Sequence, residues 1–422
     1  MIGSDPGKQV VHHMAKKLTS VLGIDIGSQK IKIAEIRAQG KDAVVSAIGI
    51  IDTPEGAVDH TGVYNSDAVG AALKQVIAES GASVTQAVVS IAGQASVLVR
   101  TLEVPRMNPA ELKEHMQWEI NRNIPFAEST VVSDFKPLTD EDPSSTNMDV
   151  VMAISPQSAI DTMIACVKKA GRTAAAIDVE PLSIARSVMQ SYDDAYTGQT
   201  ICVVEMGHKT TSINIYRNGK LLMPRQIPVG GEMFTKAISD GYQISMSEAE
   251  VMKLRDADIP ASAVGSLSAP DPFGATTQGF QAYNPFSDDA APAPNPFADG
   301  PEDFAPAPVP DPAPAPVAAS GDAKLFNSFA PVLEEFVAEV RRSIDYYRSR
   351  GGDIDRVVLA GGASKMKGLA PFLKDSLGLE CDNYDSMRRL NITAKKMAPG
   401  FLEEHRQEFV VAVGNGLHVL FD

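Results

Sequence analysis

Val21-Leu22-Gly23-Ile24-Asp25-Ile26-Gly27-Ser28 is the stretch on which the fold turns, because the chain repeats its plan later as Ile201-Cys202-Val203-Val204-Glu205-Met206-Gly207. Each is an apolar run of strand length that reads as buried on both faces. Each ends on an acid, one apolar residue and a glycine, and a second strand follows. After Gly27 that strand carries Ile31, Ile33 and Ile36; after Gly207 it is the alternating Thr211-Ser212-Ile213-Asn214-Ile215-Tyr216, closed by the hairpin turn Asn218-Gly219. One such unit is weak evidence, but two in corresponding places half a chain apart predict two related lobes.

Length agrees, since 422 residues exceed one ordinary core. A formal charge of −15 excludes general nucleic-acid binding, which needs a basic surface, and argues against adhesion to anionic lipid. Cys166, Cys202 and Cys381 are far apart and form no CxxC pair, so they read as buried thiols in a reducing compartment. No apolar run approaches the ~18 residues of a membrane span. The polar residues 1–18, with a second methionine at Met14, read as an upstream extension or tag outside the fold.

Outward from the two repeats, Ser66 to Ser80 has the spacing of an amphipathic helix and Ala87 to Ile91 that of a buried strand. Then Val97–Val104 predicts a strand and Asn108-Pro109-Ala110-Glu111 a capped helix start, carrying Leu112, Met116 and Ile120 on one face. Strands at Val131–Phe135 and Val150–Ile154 complete a small α+β subdomain inserted in the first lobe. A helix begins again at Ser155-Pro156. Residues 256–322 hold 14 of the 28 prolines, ten acids and no lysine or arginine, a composition that cannot bury a core of its own. Within them Asp271-Pro272-Phe273, Asn284-Pro285-Phe286 and Asn295-Pro296-Phe297 repeat a polar–Pro–Phe unit. Order resumes in a helix with Phe326, Phe329, Leu333, Phe336, Val340, Ile344 and Tyr347 on one face. The strand Val357–Leu359 and a last helix over Phe409–Leu420 follow.

Glycine turns let successive backbone N–H groups approach phosphate oxygens. Asp25-Ile26-Gly27-Ser28 and Glu205-Met206-Gly207-His208-Lys209-Thr210, facing each other, would grip a polyphosphate from both lobes. Asp25 and Glu205 would stand beside a magnesium ion through its waters, with Lys32 as a point charge for phosphate. Either turn alone reads more readily as a plain strand–turn–strand. Gly361-Gly362-Ala363-Ser364 and Gly230-Gly231 are junctions that either face a nucleotide or only pack.

Together these pieces resemble the actin/hexokinase/heat-shock-chaperone superfamily. Asp25-x-Gly27 with Lys32 is similar to its first phosphate motif, Glu205-x-Gly207-x-x-Thr210 to its second, and Val358 to Ser364 to its adenosine motif. Glu180-Pro181-Leu182-Ser183 resembles the first connecting motif, Ser247 to Lys253 the helix whose Glu250 and Lys253 touch ribose, and Ala412 to Leu417 the second connecting helix. Within the superfamily the chain resembles the PilM family of type IV pilus assembly proteins, ahead of the FtsA family. The Met107–Leu112 and Gln117-Trp118-Glu119-Ile120 stretches carry that preference, with the lack of an FtsA-type amphipathic helix after Asp422.

The resemblance implies an α/β actin-like, ribonuclease H-like two-lobed fold. It implies domains at 19–93, 155–198 and 402–422 (first lobe), 94–154 (inserted subdomain), 199–230 and 355–401 (second-lobe core), and 231–257 and 323–354 (its outer part), while composition rather than the resemblance marks 258–322 as a disordered insert. ATP and Mg2+ are the implied cofactors. The implied contacts are Asp25, Gly27, Ser28, Lys32, Gly207, Lys209, Thr210, Gly230, Gly231, Glu250, Lys253, Gly361, Gly362 and Ser364, with Asp25 and Glu205 at the metal and Glu205 and Glu180 at any hydrolysis, which is expected to be slow. The implied role is a cytoplasmic scaffold whose ATP-bound closed state takes the cytoplasmic tail of a PilN-like inner-membrane protein, alongside other pilus-type assembly proteins. The groove for that tail is expected near the subdomain containing Trp118, and a lone tryptophan is as readily plain core. An FtsA-like division adaptor and an actin-fold ATPase or sugar kinase are the alternatives, because the fold hosts all three. The Glu at 205, where aspartate is usual, and the acidic insert depart from the family pattern.

Overall fold

The computed structural model describes residues 18–40, 42–126, 130–138, 144–263 and 321–421. In the first lobe, β1 (Ser20–Ile26) pairs antiparallel with β2 (Lys30–Gln39), which pairs with β3 (Asp42–Asp52). On its other side β1 runs parallel to β4 (Gln86–Ile91), and β4 to β8 (Thr173–Val179). Parallel neighbours need crossovers, supplied by α1 (Ser66–Ser80) and by α3 (Gln157–Lys169). Asn65 caps α1, its side chain accepting from the Ala68 amide at 3.0 Å, and Gly81 ends it in the left-handed conformation (φ 77°). Val69, Leu73, Val76 and Ile77 bury the face that the sequence spacing assigned.

The second lobe repeats this plan. Its sheet is ordered β11-β10-β9-β12-β13, from β9 (Thr200–Met206), β10 (Thr211–Arg217), β11 (Lys220–Ile227), β12 (Arg356–Ala360) and β13 (Glu380–Asn383). Asn218 and Gly219 both sit at positive φ (49° and 76°), as a two-residue hairpin turn requires. Over one face lie α5 (Gly231–Tyr242), α6 (Met246–Asp256) and the long helix Gly321–Ser349, burying Phe234, Phe329 and Phe336.

The inserted subdomain is a three-stranded antiparallel sheet, β5 (Leu98–Pro105), β7 (Asn147–Pro156) and β6 (Val131–Pro137) in that order, covered by α2 (Pro109–Asn123). The capping box at Asn108 and Glu111 is present. The subdomain leans on the second lobe: Thr101 Oγ1 donates to the Leu221 carbonyl at 3.3 Å, and Lys220 pairs with Asp149 at 2.6 Å.

Four expectations need correction. Residues 385–401 do not all stay with the second lobe: the two-residue strand β14 (Asn391–Ile392) pairs with β3, and Met387 and Leu390 pack with Val21 and Ile36. Two strand residues carry no periodicity to read. Residues 258–263 are folded, because Ile259 and Ala263 enter the second-lobe core and the Ile259 amide bonds the Lys367 carbonyl at 3.0 Å. The last helix is two short ones, Val410–Gly416 and His418–Phe421. Leu18 packs on the first-lobe core, although it was placed in the N-terminal extension. The expectations for residues 1–17 and 264–320 lie outside the described residues.

Candidate functional site

The two acid–x–Gly turns are built alike. The Gly27 amide bonds the Lys30 carbonyl at 3.1 Å and the Gly207 amide the Thr210 carbonyl at 3.0 Å. A Cβ on either glycine would come within 2.8 or 2.9 Å of that same carbonyl, so the turns need glycine for closeness. They face each other across a cavity of about 790 Å³ between the lobes. Its walls include Asp25, Gly27, Ser28, Lys32, Glu180, Glu205, Gly207, Lys209, Thr210, Gly231, Glu250, Lys253 and Gly362. Gly230, Gly361 and Ser364 stand behind the wall instead.

Charge concentrates at the cavity floor. In the β1–β2 register Asp25 lies opposite Lys32, and their side chains pair at 2.8 Å with both largely buried. In the matching β9–β10 register Glu205 faces Ser212, whose hydroxyl donates to Glu180. Burial pushes the Glu180 carboxyl up to about 7, with Asp25 adding to the effect against Ser212 and Lys32. Burial pushes Glu205 up to about 8, with Glu180 adding to it and Lys32 opposing. Burial works against a charged Lys32, but Asp25 and Glu205 outweigh it and hold the ammonium above its usual range. Among the described residues no three His, Cys, Asp or Glu side chains converge as a metal cage.

The remaining walls are stitched to these turns. The Gly231 and Glu232 amides bond the carbonyls of Gly207 and His208 at 3.0 and 2.8 Å, so Gly230-Gly231 buttresses the second turn. Lys209 pairs with Glu232 at 3.3 Å. Lys253 reaches the Gly231 carbonyl at 3.0 Å and Glu250 at 2.8 Å; Glu250 also accepts from Gln29 of the first turn at 3.2 Å, which joins the lobes across the mouth of the cavity. Gly361 sits at φ 89°, where a Cβ would be 2.7 Å from Glu205 Oε1, and Ser364 bonds its carbonyl at 2.7 Å.

Several wall residues were not singled out in the sequence, Glu408, Gln29 and His208 among them. Glu408 is held at about 2: burial opposes ionisation, but bonds from His405 and Lys365 (2.8 and 2.6 Å) dominate. No motif flags it; the i, i+3 spacing of His405 and Glu408 was the only signal. Gln29 belongs to the first turn but lacks a charge. His208 stands in the second turn, and its side chain had been given no role there.

A second cavity, about 200 Å³, lies where the chain twice crosses between the first lobe and the inserted subdomain. Ile91, Ala95 and Ser96 line it from one crossing, Pro156, Ala159 and Met163 from the other, and Val63 and Tyr64 from the loop after β3. Trp118 is not part of it and is not core either: it is 56% exposed on α2, with the Arg122 guanidinium 4.6 Å from its ring centroid. The second cavity and the tryptophan are thus separate features.

The family model described as type IV pilus assembly protein PilM matches residues 23–273, more than half of the chain. The chain belongs to the PilM family. The model for cell division protein FtsA matches residues 202–414, relating this PilM-family chain to FtsA mainly through its second lobe. Curated relatives include FtsA of Neisseria meningitidis serogroup B, 24% identical over 254 residues (55% of this chain, 60% of that protein). FtsA of Bacillus subtilis strain 168 is 36% identical over 94 residues (22% of this chain, 21% of that protein). The matches span less than two thirds of the length of these relatives. Among solved structures, a PilM–PilN type IV pilus biogenesis complex superposes with a TM-score of 0.72 at 22% identity, covering 96% of this chain and 99% of that one. The fold is the actin-like α/β two-lobed fold that the resemblance implies. Among the described residues no helix is long and apolar enough to cross a membrane.

Proposed function

We propose that this PilM-family chain is a nucleotide-binding scaffold of a type IV pilus-type assembly platform. In its ATP-bound closed state it takes the cytoplasmic tail of a PilN-like inner-membrane protein, which recruits it from the cytoplasm to the inner face of that membrane. The observation that carries the nucleotide half is the pair of matched glycine turns facing one cavity with Lys32 on its floor. Ser28, Lys32, Lys209 and Thr210 would be the donors for phosphate, and Lys253 and Glu250 would meet the ribose. Magnesium would be held by Asp25 and Glu205 through water and by phosphate oxygens. Glu180 and Glu205 are the groups for any water activation, which is expected to be slow.

The tail half rests on the second cavity and on family membership. A slot of mixed lining between two packed units, with Ile91, Pro156 and Met163 beside Ser96, Ser158 and Thr162, suits an extended peptide, and Tyr64 at its rim is exposed. Mass spectrometry of gently purified protein should find bound ATP or ADP. Titration with the tail of the PilN-like protein encoded by the same organism should then give tighter binding to ATP-loaded than to nucleotide-free protein. No tail binding in either state rejects the scaffold role and leaves the fold untouched. A second reading, an FtsA-like division adaptor, is favoured by the FtsA match over 202–414; ATP-dependent sedimentation as filaments would select it.

A further inference from the structure

The two cavities share a wall. Gly62, Val63 and Met163 line both the interlobe cavity and the slot at the subdomain junction. Gly62 and Val63 belong to the loop that leaves β3, whose base is an isolated bridge between Val58 and Val63. Asp59 shapes the loop tip: its Oδ1 accepts from the Thr61 amide and hydroxyl (2.7 and 2.6 Å) and from the Gly62 amide (3.3 Å). Asp59 and His60 face the interlobe cavity, while Thr61 and Tyr64 face the slot. A ligand pressing on one side of this loop therefore presses on residues that form the other side.

The loop is also wired to both chain crossings. The Gln94 amide bonds the His60 carbonyl at 3.2 Å, and Ser96 Oγ donates to the Thr61 carbonyl at 2.7 Å. The Ser96 carbonyl in turn accepts from Ser155 Oγ at 2.7 Å, with both serines buried. Ser155 stands at the end of β7, two residues before α3 begins. The contact is tight: Gly62 lies at φ 154°, where a Cβ would be 2.3 Å from Ser96 Oγ, and a Cβ on Gly93 (φ 109°) would be 2.6 Å from the Thr61 carbonyl. No slack is left for the loop to shift without carrying Ser96 and the start of α3.

We infer that the 58–64 loop, pinned through Ser96 and Ser155, is the element by which occupancy of the interlobe cavity sets the shape of the junction slot. The inference deepens the proposed function and rests on it for the identity of both ligands. Coupling through packed and hydrogen-bonded neighbours needs no second copy and no large motion. It is reciprocal, so tail binding must tighten nucleotide by the same factor.

Hydrogen–deuterium exchange on the full chain, with and without Mg-ATP, tests it without the tail. In the wild type Mg-ATP should slow exchange at the two glycine turns, in the 58–64 loop and at residues 157–163. Ser155 lines neither cavity. Ser155→Ala should keep the slowing at the turns and lose at least fivefold of it at 157–163, about the low end of known couplings. Ser155→Thr, which retains the hydroxyl, should restore it. Slowing at 157–163 that survives Ser155→Ala and Ser96→Ala, or that is missing from a wild type whose turns are protected, overturns the coupling. If the wild-type turns are not protected, the nucleotide reading falls and takes this inference with it.

Discussion

At the scale of single residues the buried carboxylates set the testable behaviour. Asp25 is the first-turn acid and Lys32's direct partner. Asp25→Asn keeps its shape but not its charge. For the wild type, a ligand bound only by the native state at a hundredfold excess over Kd adds about 2.7 kcal/mol. The variant should lose most of the Mg-ATP melting shift; an unchanged shift would remove Asp25 from the site. Glu205 makes a second prediction through pH. Its folded carboxyl titrates at about 8 against an ordinary 4.5, so the native state holds this proton more tightly than the unfolded chain does. That contribution to stability is complete below 4.5 and is lost as pH rises through 8. Glu205→Gln mimics the protonated form and should gain progressively on the wild type as pH rises between those limits. Melting curves at both ends check it; equal gains at both would mean that Glu205 is not the titrating group. Asp25 and Glu205 could be read because their acid–x–Gly motif repeats, whereas Lys32 does not repeat, Ser212 holding its register position in the second lobe. Glu408 was not, since its role depends on His405, Lys365 and a cavity that only the fold assembles.

At the scale of elements the sequence was most readable where local chemistry decides structure. The capping box at Asn108 and Glu111, the Asn218-Gly219 turn and the Leu73-containing face of α1 all formed as expected, each being fixed within a few residues. Contacts made across the chain were hidden. The helix Val410–Gly416 lies so close to its neighbours that a Cβ on Gly414 would be 1.9 Å from the Ser183 carbonyl of α4 (Glu180–Tyr196). A Cβ on Gly23 of β1 would be 2.0 Å from the Ala412 carbonyl. Asn415 locks the junction, donating to the Ile24 carbonyl at 2.7 Å and accepting from Ser90 and Ser183 at 2.8 and 2.6 Å. In an open helix Gly→Ala gains about 1 kcal/mol. Here the obstacle is backbone, so Gly414→Ala should instead lose ~3 kcal/mol or more, in line with severe overpacking. Urea denaturation at constant m gives the sign directly, and a gain would mean that α4 and this helix are free to part.

At the scale of the whole molecule the question is where the second lobe can be cut. Composition alone set the limits of the acidic, proline-rich segment at 258–322, because composition is averaged over a window and cannot see single anchors. The structure adds that residues 258–263 belong to the folded second lobe. Ile259 and Ala263 are buried in one cluster with Leu325, Phe326 and Phe329, so the chain enters and re-enters the same core. Asp258 is bridged to Lys367, and a Cβ on Gly368 would strike the Ile259 carbonyl at 2.2 Å, so this short stretch is clamped from both sides. Closing a loop costs free energy only with the logarithm of its length, about 0.6 kcal/mol per doubling, so replacing 264–320 by a short Gly/Ser linker should leave the fold slightly more stable if anything. Removing 258–322 instead takes out the buried Ile259 and Ala263, and Ile259 alone is worth 2–5 kcal/mol by the usual cost of emptying such a site. The shorter deletion should therefore melt like the wild type and keep its Mg-ATP shift, while the longer one loses several degrees. Equal melting of the two would mean that the 258–263 clamp contributes nothing. Loss of the Mg-ATP shift in the shorter deletion alone would make 264–320 part of the nucleotide site. The same pair of deletions, with Phe273, Phe286 and Phe297 changed to alanine in a third variant, sorts the polar–Pro–Phe units. Proteins captured by the wild type but by neither the shorter deletion nor the alanine variant are partners of those units, held by avidity along one chain. Identical capture by all three reduces the segment to a spacer.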